Sequence, residues 1–119
     1  MRSLSLSQLN QVESPALLSD AQLYAELWTS LASLLRSYTA MYGLTSTRQA
    51  VVDLGSEKII VRVDEKWLIL TRNHQTVNWT RENGKKGSLE LSEDGALRSA
   101  GGDQAMDLAV EHWARELMQ

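Results

Sequence analysis

With 119 residues, no cysteine, 43% hydrophobic side chains and a net charge of −3, the chain reads as one domain with a single core. The missing cysteine excludes disulfides, thiol nucleophiles, iron–sulfur ligation and cysteine-bound zinc, and it points to a reducing, cytoplasmic setting. The acidic total argues against nucleic acid as a partner, and the lack of a long apolar run or signal-type segment argues against a membrane partner or secretion.

The charge is unevenly spread. Residues 1–56 carry three basic and four acidic groups, residues 57–86 seven and four, and residues 87–119 two and seven, so a basic middle meets an acidic end.

Residues 1–18, with Leu4, Leu6 and Leu9, fit an N-terminal arm, and residues 19–119 form the expected α+β domain. Over residues 19–42, Leu23, Leu27, Leu31, Leu34, Tyr38 and Met41 recur at steps of three and four. Tyr24, Trp28, Leu35 and Tyr42 widen the stripe, which predicts an amphipathic helix. Ser19 followed three residues later by Gln22 reads as its capping box, and Gly43 as its left-handed stop.

From residue 48 the apolar period changes to two. Strands are predicted near 48–54, 57–63, 66–72, 75–82 and 87–92, with a short sixth at 96–99. Hairpin-length turns rich in Gly, Asn and Asp separate them. Turns centred on Gly55-Ser56, Asp64-Glu65, Asn73-His74 and Lys85 set a register with Ala50, Val61, Leu68, Trp79 and Leu91 in one inward row. Val52, Ile59, Leu70 and Val77 form the next. The opposite face then carries Val51, Ile60 and Ile69 in one row, with Arg62 and Trp67 beside them. These five residues are the candidate interface.

His74 falls at a turn, and Lys85-Lys86 form a solvated basic tip. The triplet Asn78-Trp79-Thr80 matches a glycosylation sequon by chance, since it lies within a strand. Gly101-Gly102 are expected to end the sheet and Asp103 to cap a last helix. In that helix Met106, Ala109, Val110, Trp113 and Leu117 line one side. His112 and Glu116, spaced i and i+4, are two metal-ligand types on an acidic helix face, read here as a solvated polar face. No metal site and no cofactor are therefore expected. No nucleophile elbow, phosphate-binding glycine loop or zinc-binding helix motif occurs, and no catalytic pair emerges.

A helix, a five- to six-stranded antiparallel meander and a second helix, both helices on one sheet face, resembles the frataxin-like α–β–α sandwich. The resemblance spans about residues 19–118. Asn73-His74-Gln75 followed by Trp79 is similar to the family's Asn-Arg-Gln segment and its Gln-x-Trp. Gly102 with Met106-Asp107-Leu108 is similar to the start of the family's last helix. The resemblance implies a small-ligand or metal-binding accessory protein. The family's acidic iron ridge is not matched, because LLRSYTAMYGLTSTRQAVVD contains only Asp53, and the register turns Trp79 inward where the family's sheet tryptophan faces out.

The residues themselves favour a non-enzymatic interaction module, partnering a protein or forming a homodimer through the outer sheet face. Two alternatives stay open: Arg62 stacks on Trp67 and keeps the chain monomeric, or the N-terminal arm covers the face.

Overall fold

The computed structural model describes residues 16–119, with side chains from Ala21 onward. Leu4, Leu6 and Leu9 of the expected arm lie outside the described residues. Helix α1 (Ala16–Gly43) leads into β1 (Val51–Leu54), β2 (Lys58–Val63), β3 (Lys66–Asn73) and β4 (Thr76–Arg81). Then come β5 (Lys86–Leu91), β6 (Ala96–Ser99), β7 (Gly102–Ala105) and helix α2 (Met106–Met118). The seven strands form one open antiparallel sheet in sequence order. The fold class is α+β as expected, with seven strands instead of five or six.

The unforeseen strand is β7. Gly102 adopts a positive φ of 116° and closes a two-residue turn opposite Ser99, which lets Asp103 pair with Arg98 across the strands. Their side chains form an ion pair at 3.1 Å. Asp103 is thus a strand residue and caps nothing; α2 starts after Ala105 with no side-chain cap.

Helix α1 buries a stripe centred on Tyr24, Trp28, Leu31, Ala32 and Leu35. Leu23, Leu27, Leu34 and Tyr38 flank it at intermediate exposure, and Met41 is 49% exposed. The buried centre lies about one residue around the helix from the series expected. Trp28 fixes that rotation, since its indole Nε1 donates to the Gly55 carbonyl at 2.8 Å. Ser19 lies inside the helix, not at its cap. Gly43 is not left-handed either, because the positive-φ glycines are Gly84, Gly95 and Gly102. Its smallness matters instead: a Cβ there would stand 3.4 Å from the Arg48 carbonyl oxygen and 3.5 Å from Met118 Cε.

The strand faces are those expected, whereas three of the four expected registers are displaced. Val61 pairs with Leu68 as anticipated. Val61 also faces Val52 instead of Ala50, Leu70 faces Trp79 instead of Val77, and Trp79 faces Gly87 instead of Leu91. Each displacement is an even number of residues, so no side chain changes face. The turns explain two of the three slips. His74 takes a left-handed φ of 60°, which moves the β3–β4 turn to His74-Gln75, and Gly84 at φ 88° moves the next turn back from Lys85.

The inner face contributes Ile59, Val61, Val63, Leu68, Leu70, Val77, Leu91 and Leu97, all essentially inaccessible, to one core shared with both helices. From α2 come Met106, Ala109, Val110, Trp113, Ala114, Leu117 and Met118. Each large aliphatic side chain in such a core contributes about 1.5–3 kcal/mol. Polar contacts fix the helices: the Tyr42 hydroxyl donates to Glu111 Oε2 at 3.1 Å, joining α1 to α2. Lys66 Nζ donates to the carbonyl oxygens of Glu116 and Gln119 at 3.1 and 3.2 Å, a cation at the negative end of α2.

Candidate interaction face

Strand parity places Val51, Ile60, Arg62, Trp67 and Ile69 together on the sheet face turned away from the helices, on the adjacent strands β1, β2 and β3. Ile60 lies directly opposite Ile69, and Arg62 is flanked by Val51 on one side and Trp67 on the other. The register slip at β1 breaks the expected row. Val51 faces Arg62, and it is Asp53 that faces Ile60. Arg62 Nη2 donates to Asp53 at 2.9 Å instead of stacking on Trp67. The cation–π pair is elsewhere, with Arg72 lying 5.8 Å from the Trp28 ring centroid.

Val51 is 50% exposed, while Ile60, Trp67 and Ile69 are partly covered by their neighbours. Beyond them the face turns polar: Thr80 and Lys86 continue the isoleucine row, and Lys58, Thr71, Asn78 and Ser88 form the next. The apolar patch therefore sits at the β1 corner of the sheet. That strand is also a sheet edge, and Arg36 of α1 donates to its Val52 carbonyl at 3.3 Å. A side chain thereby occupies a group that another strand would otherwise seek.

The remaining candidates are accounted for by structural contacts. His74 is exposed at its turn, where its ring meets Tyr24 edge-on at 5.3 Å. Lys85 and Lys86 are exposed. His112 Nε2 lies 3.2 Å from Glu116 Oε2, and the other carboxylate oxygen of Glu116 accepts from Arg81 Nη1 at 2.9 Å. Among the described residues no group of three or more His, Asp or Glu side chains is arranged to hold a metal, and no helix is long and apolar enough to cross a membrane.

Among the described residues Arg81 is the most deeply placed charge, with its side chain only 4% exposed between Glu116 of α2 and Glu82. It stands on the inward face, opposite Leu68. Glu82 also accepts the Trp67 backbone N–H at 3.1 Å. Burial pushes the Glu82 carboxyl up, but that N–H and the Arg81 guanidinium outweigh it and hold Glu82 below its ordinary value of 4.5. The sequence pattern concealed this clamp because an arginine at the end of an alternating strand reads as solvated.

A second feature escaped the sequence reading. Between the end of α1 and β1 lies a half-open cleft of about 430 Å³, lined by Arg36, Thr39, Ala40, Gly43, Leu44, Arg48, Gln49, Ala50 and Val52. Leu44 at its rim is 84% exposed. Its lining comes from a helix end, a loop and a strand edge, so no single sequence period marks it. No protein-family model, curated protein or solved structure matches the chain.

Proposed function

We propose that this chain is a small non-enzymatic interaction module that self-associates through the outer face of its sheet. The observation that carries this reading is the apolar corner of Val51, Ile60, Trp67 and Ile69, which no described helix covers. The patch holds both a cation and an anion, Arg62 and Asp53, bonded to each other in the single chain. A twofold axis through it would set like surface against like surface with opposite charges available to both copies, the pattern of an isologous dimer. A net charge of −3 supports a protein partner over a nucleic acid, and the cysteine-free sequence supports a cytoplasmic setting. Solution mass, compared between the native chain and Ile69→Lys, tests this reading.

A second reading is an accessory domain of frataxin type that holds a small ligand. The order of helix, antiparallel sheet and helix supports it, and so does the arginine-flanked cleft beside β1.

A further inference from the structure

The cleft beside β1 has an uneven chemistry. Arg36 and Arg48 both line it, and although the chain is acidic overall, none of its lining residues is acidic. Its remaining wall is mainly apolar, from Ala40, Leu44, Ala50 and Val52.

Both guanidiniums have donors to spare. Arg48 uses Nη1 on Asp64 at 3.1 Å, and Arg36 uses Nη2 on the Val52 carbonyl at 3.3 Å, a long contact. An arginine carries five N–H donors in a planar fork, so each keeps several for an anion. The Thr39 hydroxyl is already committed to the Leu35 and Arg36 carbonyls, at 2.6 and 3.2 Å, and adds no competing demand. A volume of about 430 Å³ accommodates a small molecule, and an apolar wall with a few fixed polar groups is the usual composition of a ligand site.

We propose that this cleft binds a small amphipathic carboxylate, with its anionic head between Arg36 and Arg48 and its hydrocarbon portion against Ala40, Leu44 and Val52. This gives the small-ligand reading a ligand class and does not rest on self-association through the outer sheet face.

The test is a titration of the isotopically labelled full chain with octanoate, followed by amide chemical shifts, with octylammonium and inorganic phosphate as parallel probes. Octanoate should shift amides within residues 36–52 with a dissociation constant below about 1 mM, and the other two probes should bind at least tenfold more weakly. Arg36→Gln, and separately Arg48→Gln, should each weaken octanoate severalfold. Asp64→Asn keeps both guanidiniums and should bind octanoate as well as the native chain, which separates loss of the head-group site from loss of the Arg48 ion pair. The proposal is overturned by octylammonium or phosphate binding as tightly as octanoate, by octanoate binding that both arginine variants leave unchanged, or by no shift at several millimolar octanoate. Because the readout is local shifts at the cleft, failure here leaves the solution-mass test of the sheet face unaffected.

Discussion

Gly87 lies directly opposite Trp79 across β4 and β5, and the indole lies over it. A Cβ at residue 87 would stand 2.6 Å from Trp79 Nε1 and 2.8 and 2.9 Å from two ring carbons. The glycine therefore makes room for the indole, which meets Trp113 of α2 edge-on at 6.0 Å between centroids. Gly87→Ala should displace the ring and destabilise the chain by about 1–3 kcal/mol, the usual cost of overpacking. Chemical denaturation checks the magnitude. A stability unchanged from the native chain would show that the indole has another place to go.

Three tryptophans should rank by their contact with the core, since Trp113 belongs to it, Trp79 packs against it and Trp67 lies on the other face of the sheet. Trp113 is 6% exposed in the shared core, so Trp113→Ala should cost about 3–5 kcal/mol. Trp79 faces inward as the strand parity predicts but is only partly buried, which reduces its expected cost to about 2–3 kcal/mol. Trp67, on the outer face, should cost about 1 kcal/mol or less in a monomer. A denaturation series with Trp67→Ala as the worst variant would contradict the face assignment.

Acid should loosen the clamp between the sheet and α2. The Glu82 carboxyl titrates below its unfolded value of 4.5, so its contribution is fully present above that pH and is lost as pH falls through the lower folded value. Glu82→Gln should lower stability at neutral pH and flatten the acid limb of the melting-temperature curve below pH 4.5. An acid limb identical to that of the native chain would remove Glu82 from the clamp.

Zinc should bind weakly at His112. Its imidazole already faces Glu116, and the same carboxylate is held by buried Arg81, so recruiting that pair would disturb the clamp. Calorimetry should show no one-to-one event tighter than about 1 μM that His112→Ala abolishes. Such an event would reverse the reading.

Side-chain periodicity made the two helices and the inward set of Ile59, Val61, Leu68, Leu70 and Val77 legible, because burial on one side leaves a 3.6- or 2-residue trace. Register was less legible. It depends on which residue accepts a positive φ, and nothing in the alternation says that His74 would do so. β7 was hidden because Gly101-Gly102 reads as a break, where Gly101 belongs to a hairpin turn and Gly102 opens the next strand. The five interface candidates were legible as one surface, but the Arg62–Asp53 bond depended on the β1 slip. The cleft was illegible because it joins the end of a helix to a loop and a strand edge, three places with no shared period.

The apolar corner offers an isologous surface, and burying the exposed parts of Val51, Ile60, Trp67 and Ile69 in two copies would contribute at most about 1.5–3 kcal/mol per side chain before the cost of association. That suits a modest dimer. Light scattering at about 100 μM, a concentration that saturates a low-micromolar dimer, should give twice the chain mass for the native protein and the single-chain mass for Ile69→Lys, with melting temperatures showing both folded. A native chain that is monomeric at this concentration, or an Ile69→Lys variant that remains dimeric, would contradict self-association through this face.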